Sequence, residues 1–286
     1  MTETTTIMVV GAGQMGSGIA QVAAQAGYSV ILQDIKQEFV ERGMQTIRLS
    51  LERFIKNGQL TELAVEQTVA RIELTTELSA VALADFVIEA ATEQLAVKKE
   101  IFRQLDALAP AHTLLATNTS SLSVTDIAAV TNRPTQVIGM HFMNPVPMMK
   151  LVEMIRGLQT SDEVYEKVAA LARSFGKTPL AVRDFPGFIS NRILLPMINE
   201  AIFCLYEGIA TPEAIDEIMK LGMNHPMGPL QLADLIGLDT CLYIMEVLYE
   251  GFADAKYRPC PLLRKYVEAG WLGKKSGRGF YSYTGA

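Results

Sequence analysis

No stretch of this 286-residue sequence is an uninterrupted apolar run of bilayer-spanning length, so no transmembrane helix is expected and no membrane partner. The acidic, Thr-rich opening, residues 1–6, is expected not to act as a signal peptide. Cysteine is scarce. Cys204, Cys241 and Cys260 are odd in number and lack a metal-ligand spacing, which points to buried or unpaired thiols in a reducing compartment, with the cytoplasm as the expected location. Histidine is equally rare, with His112, His141 and His225, and no ligand cluster is present, so no metal is expected. Basic residues are outnumbered by acidic ones, 25 to 31, and the net charge of −6 argues against nucleic acid as a bulk partner.

The remaining composition is that of an ordinary soluble globular protein, 49% hydrophobic and 20% charged. The length allows one large domain or two, with ample core either way. Near the start, residues 5–10 form a short β-branched run without a charge. They lead into Gly11-Ala12-Gly13-Gln14-Met15-Gly16-Ser17-Gly18. An apolar, Ala-rich segment (19–26) then reads as a helix stopped by Gly27, and a second apolar run (28–33) ends in Asp34. Strand, glycine turn, helix, strand and acid follow one another in the spacing of a dinucleotide fold. Gly11 permits the tight turn, Gly13 lets the backbone approach a pyrophosphate, and Gly16 lets the helix pack on the strand. Gln14 and Met15, within the same fingerprint, are expected cofactor-binding residues, and the N–H groups and dipole of the helix start attract that anion. Asp34 can accept hydrogen bonds from ribose hydroxyls and would repel a 2′-phosphate, which favours NAD over NADP, although Lys36 nearby softens the discrimination. A solvated strand-end acid would look the same.

The strand–helix alternation continues with a strand over 86–90, a helix over 97–107 and a strand over 114–117. Ligands in open α/β sheets bind at carboxyl ends of strands, which gives weight to Glu93 and to Ser120 in the Asn118-Thr119-Ser120-Ser121 loop. Ser120 could equally be the N-cap of a helix over 124–129. Arg48, Arg53 and Lys56 fall in a helical stretch, 38–57, with Arg53 and Lys56 on one face. That face could meet a polyphosphate or be an ordinary solvated surface.

Further on, runs rich in Val, Ile and Met (135–142 and 149–155) flank Asn144-Pro145-Val146-Pro147, a turn signal. A hairpin folded about Pro147 puts His141 opposite Glu153, because the two are equidistant from that centre. Cross-strand Cβ atoms lie about 4.5–5.5 Å apart, close enough for an imidazole and a carboxylate to hydrogen-bond. Such a pair can move a hydroxyl proton while a cofactor takes a hydride; it can also be a buried structural pair.

After about Arg183 the alternation stops, and residues 188–207, 212–221, 229–249 and 261–269 read as helices. The punctuation at Asp184-Phe185-Pro186-Gly187 divides the chain into an α/β unit, 1–184, with a Rossmann-type, mostly parallel sheet, and an all-helical unit, 185–286. The first long helix is apolar nearly all round, so cover on more than one side is expected, and Pro196 should kink it. So much apolar surface on a small helical unit predicts packing on a second copy, a homodimer.

With the glycine fingerprint, NTSS, HFMNP and PGFISNR in register, the sequence resembles the L-3-hydroxyacyl-CoA dehydrogenases, and within them the short bacterial 3-hydroxybutyryl-CoA enzymes. The resemblance runs from Ile7 to the terminal GWLGKKSGRGFYSY. It implies NAD-dependent interconversion of a short-chain 3-hydroxyacyl-CoA and its 3-keto form. By it, His141 is the acid/base, Glu153 its orienting partner, Ser120 the hydrogen-bond partner of the reacting oxygen, and Asn191 a substrate-fixing residue. Asn144 would help to position the nicotinamide. Glu93 and Lys98 would line the cofactor site, Ser50 and the neighbouring basic residues would meet the CoA phosphates, and Lys275 would close over the cofactor. Asn57 stands where some family members carry a second consecutive lysine, which leaves the CoA phosphate contacts open. His112 and His225 are expected to be structural. Two other classes stay open: a catalytically silent homologue, disfavoured by intact Ser120, His141, Glu153 and Asn191, and a dehydrogenase of free 3-hydroxy acids, which would be expected to use a catalytic lysine.

Overall fold

The computed structural model describes residues 5–283; the first four residues of the opening considered above, 1–4, lie outside them. The chain divides into two compact units, Met1–Asp184 and Phe185–Ala286.

The first unit is one eight-stranded sheet in the order β3-β2-β1-β4-β5-β6-β7-β8. Strands β1 (Thr6–Val10), β2 (Ser29–Gln33), β3 (Ile72–Thr75), β4 (Phe86–Glu89), β5 (Leu114–Thr117) and β6 (Val137–Phe142) are parallel. Strand β7 (Leu151–Arg156) runs antiparallel to β6, and β8 (Thr178–Arg183) runs parallel to β7. This is the Rossmann-type arrangement, with the strand order reversing beside β1. Ile7, Met8 and Val9 are fully buried, as expected of a strand covered on both faces. Helix α1 (Gln14–Gln25) begins five residues before the Ile19 start read from the sequence (19 − 14 = 5). Gly16 and Gly18 hid that start because glycine is a poor helix former. Both are required by packing: a Cβ on Gly16 would lie 1.7 Å from the Gly11 carbonyl oxygen, and one on Gly18 2.8 Å from the Val146 Cβ.

Helix α2 (Gln37–Lys56) packs on α1, and Val40, Met44, Ile47 and Leu51 form its buried stripe. Four elements gave no clear signal in the sequence: α3 (Glu62–Ala70), β3, α6 (Asp162–Ser174) and β8. Strands β3 and β8 are the two sheet edges, and in β8 only Val182 is buried. Helices α3 and α6 are capped by Thr61 and Ser161, whose hydroxyls accept from the backbone N–H groups of Ala64 and Val164. Between them in the chain lie α4 (Leu95–Leu108) and α5 (Val124–Ala128).

The second unit contains α7 (Ser190–Tyr206), α8 (Pro212–Met223), α9 (Pro229–Ile236), α10 (Leu238–Phe252) and α11 (Pro261–Glu268). Its core joins Leu195, Ile198 and Ile202 of α7 to Leu230, Leu238, Met245 and Leu248. The single helix expected over 229–249 is two helices. They break at Gly237, whose φ of 102° an L side chain rarely adopts. Helix α7 continues through Pro196, and within the chain it is covered on one side: Ile193 remains 67% exposed. Asp216 accepts from the backbone N–H groups of Leu230 and Gln231 and so caps α9. Asp234 accepts from those of Phe280 and Tyr281, pinning the terminal segment. Cys204, Cys241 and Cys260 are free thiols, the last two buried. Among the described residues, no helix is long and apolar enough to cross a membrane.

Candidate active site

The carboxyl ends of the central strands converge on three groups of side chains. At the end of β1, Gly11 takes a φ of 99° and donates its N–H to the Gln33 carbonyl, which turns the chain into α1. A Cβ on Gly13 would meet nothing within 4 Å, so open space lies over the backbone there. No side chain caps α1, so its first-turn N–H groups at Gln14 and Met15 lie beside that space without a capping acceptor. Asp34, at the end of β2, is held by the N–H of Ala12 at 2.8 Å and of Ile35 at 2.7 Å. An anion-attracting helix start beside a strand-end carboxylate fits a dinucleotide: pyrophosphate over Gly13, ribose on Asp34.

The second group starts from two acids on and after β4. Glu89 is wholly buried. It accepts from Lys98 Nζ at 2.8 and 3.0 Å, from Thr117 Oγ1 at 2.7 Å and from the N–H of Ala91 at 2.7 Å. Lys98 is 1% exposed and also reaches Glu93 at 3.4 Å, so its ammonium ties the two acids together. Glu93 accepts from Thr119 Oγ1 at 2.6 Å, from the N–H of Ser120 at 2.8 Å and from Ser120 Oγ at 3.2 Å. The cap of α5 is Ser123, which accepts from Asp126 N–H, so Ser120 is not that N-cap.

Burial would raise the Glu93 pKa, but the Lys98 charge and the hydrogen bonds from Thr119, Ser120 and Ser121 outweigh it and hold the carboxyl below its ordinary 4.5. A depressed carboxylate stabilises the fold above its unfolded pKa, and that contribution disappears as pH falls through the folded one. The difference in melting temperature between the native protein and Glu93→Gln is therefore expected to be full at neutral pH and to shrink below about 4.5. A difference that stays constant down to pH 3 would contradict the assignment.

The third group is the β6–β7 pair. His141 and Glu153 are direct cross-strand partners, and His141 Nδ1 lies 2.8 Å from Glu153 Oε2 with both residues buried. Asn118, the first residue beyond β5, accepts the Phe142 N–H at 2.9 Å and so ties the serine loop to the histidine strand. Asn144, in the turn, accepts from Gln14 Nε2 at 3.2 Å. Between α1, α2 and that turn lies a cavity of about 280 Å³, lined by Gln14, Ser50, Arg53, Asn144, Val146 and Pro147 among others. Ser50 and Arg53 thus line one cavity together with the turn; Arg48 and Lys56 are exposed helix residues outside that lining.

The sequence profile described as "3-hydroxyacyl-CoA dehydrogenase, NAD binding domain" matches residues 6–185, and that described as "3-hydroxyacyl-CoA dehydrogenase, C-terminal domain" matches residues 187–283. The chain belongs to the 3-hydroxyacyl-CoA dehydrogenase family. It is 64% identical over 277 residues to a Bacillus subtilis protein named "Probable 3-hydroxybutyryl-CoA dehydrogenase", covering 97% of this chain and 96% of that one. It is 55% identical to 3-hydroxybutyryl-CoA dehydrogenase of Bradyrhizobium diazoefficiens, over 97% and 95% of the two chains. Among solved structures, (S)-3-hydroxybutyryl-CoA dehydrogenase of Ralstonia eutropha superimposes with a TM-score of 0.96 at 53% identity, covering 99% of this chain and 100% of that one.

In this dehydrogenase the two remaining expected site residues belong to the helical unit. Asn191 is the second residue of α7, and Lys275 pairs with Asp239, its Nζ 2.7 Å from Oδ2. Glu89 and Asn118 were missed by the sequence reading. Glu89 carried a signal, a carboxylate inside the otherwise apolar run Phe86-Val87-Ile88; Asn118 carried none beyond its position after a strand.

Proposed function

We propose that this family member interconverts (S)-3-hydroxybutyryl-CoA and acetoacetyl-CoA with NAD(H). The observation that carries the reading is the buried His141–Glu153 pair, in register across β6 and β7, with the Ser120 loop tied to the same strand end by Asn118. A carboxylate on Nδ1 fixes the imidazole tautomer, so Nε2 is the atom that takes the 3-hydroxyl proton and returns it to the carbonyl oxygen in reverse. Glu153 orients the ring and offsets the charge of the imidazolium. Ser120 hydrogen-bonds the reacting oxygen, and Asn191 fixes the substrate. Gly11, Gly13, Gln14, Met15, Gly16 and Asp34 hold the dinucleotide, with Glu93 and Lys98 lining its site. Asn144 orients the nicotinamide and Lys275 secures the cofactor. NAD, when bound, supplies the hydride acceptor. Ser50 and Arg53 take the CoA portion, whose binding energy positions the acyl carbon remote from it. Steady-state NADH oxidation tests the reading: acetoacetyl-CoA should be turned over and free acetoacetate barely, whereas equal rates, or preference for the free acid or NADPH, would overturn it.

Arg53→Ala should raise KM for acetoacetyl-CoA about three- to tenfold, with little change in kcat and a weaker salt dependence of kcat/KM, as for one charged contact partly open to solvent. Lys56→Ala, outside the cavity lining, should do less. An unchanged KM in Arg53→Ala at low salt would return that helix face to ordinary solvated surface.

The helical unit also pairs with a second copy in this reading, supported by the exposed apolar side chains Ile193, Ile209, Ile218 and Leu221. Ile193→Asp should sediment as a monomer or aggregate with little activity; a native protein that is a stable monomer at micromolar concentration would refute the pairing. Three free thiols suit the reducing cytoplasm.

A further inference from the structure

Lys177 is a buried cation outside the groups described so far. It sits between α6 and β8, is 8% exposed, and has its backbone fixed by N–H donation to the Ala172 carbonyl. Its ammonium donates to two main-chain carbonyls, those of Val146 and Met149, the latter at 2.8 Å. Burial pushes that ammonium below the ordinary lysine range, and among the described residues no carboxylate pairs with it. A buried charge without a counter-ion is costly, and here carbonyl dipoles alone stabilise it.

What those carbonyls belong to gives the lysine its role. Val146 and Met149 lie in the turn between the histidine strand β6 and the glutamate strand β7. The N–H groups of Met148 and Met149 both donate to the Pro145 carbonyl, so the turn closes on itself. On its other side Val146 rests against Gly18 of α1, at a distance where glycine alone fits. The same turn supplies Asn144, Val146 and Pro147 to the cavity that Ser50 and Arg53 line.

We propose that Lys177 is a positioning residue for acyl-CoA binding, its buried ammonium clamping the β6–β7 turn by two carbonyls and so setting the wall of that cavity. The inference rests on the reading that the cavity takes the CoA thioester. A misplaced wall alters uniform binding more than the chemical step, so the effect belongs in KM.

The test uses the full chain with Lys177→Met, which keeps the length and removes every donor, and Lys177→Gln, which keeps an N–H donor. Steady-state kinetics with acetoacetyl-CoA and NADH are read beside amide hydrogen exchange at Met148 and Met149. Lys177→Met should raise KM for acetoacetyl-CoA about tenfold, keep kcat within about threefold, leave KM for NADH unchanged, and speed exchange at the two turn amides but not at β6. Lys177→Gln should recover part of both changes. If Lys177→Met does not fold, Lys177→Gln is read alone and should show smaller changes in the same direction. Unchanged turn exchange and KM, or a parallel fall in kcat and both affinities, would reduce Lys177 to a general structural charge. A native protein inactive on acetoacetyl-CoA would refute the substrate reading itself, while the exchange data would still report whether the clamp exists.

Discussion

His141→Ala is expected to lower kcat for acetoacetyl-CoA reduction by about 10²–10⁴-fold, the range for a lost general acid or base, with NADH affinity changed by less than about twofold. The separation follows from where the parts sit. The imidazole lies on β6 against Glu153, whereas the proposed pyrophosphate and ribose contacts come from the ends of β1 and β2. Without the ring, the carbonyl oxygen must collect its proton from water, and Ser120 alone can only hydrogen-bond it. Fluorescence titration with NADH beside steady-state rates checks both halves. Retained activity would remove the base; a matching loss of NADH affinity would make the histidine a structural support.

The second large effect concerns stability. Lys98→Met is expected to cost about 3–5 kcal/mol, the penalty for leaving the buried partner of an ion pair uncompensated. Glu89 is wholly buried, and losing Lys98 would leave its carboxylate with only the Thr117 hydroxyl and the Ala91 N–H. Glu89→Gln combined with Lys98→Met removes both charges and should recover much of the loss, since a neutral buried pair is not desolvated at the same cost. Denaturant unfolding of the single and double variants measures this. A double variant as unstable as the two singles summed would mean that the charges do not act as a pair.

The site was readable wherever the chemistry is local in sequence. The glycine turn and Asp34 are one contiguous strand–helix–strand unit, and His141 and Glu153 share one hairpin whose turn is marked by two prolines. Elements that bury little, such as the edge strand β8, lack the periodicity that reveals the others. The start of α1 was obscured by glycines whose justification is tertiary, a carbonyl from the preceding turn where a Cβ would stand. The break at Gly237 was hidden for the opposite reason: apolar residues continue across it, and only the positive φ separates α9 from α10. Lys177 was invisible in the sequence because its partners are main-chain carbonyls some thirty residues away.

A double-mutant cycle on kcat/KM for acetoacetyl-CoA, with His141→Ala and Glu153→Gln, tests the central claim most directly. If the carboxylate acts only through the imidazole, Glu153→Gln is damaging in the native background and nearly silent once His141 is gone, so the double variant matches His141→Ala alone. Losses that multiply across the cycle would show the two side chains acting independently and would contradict the proton-transfer pair.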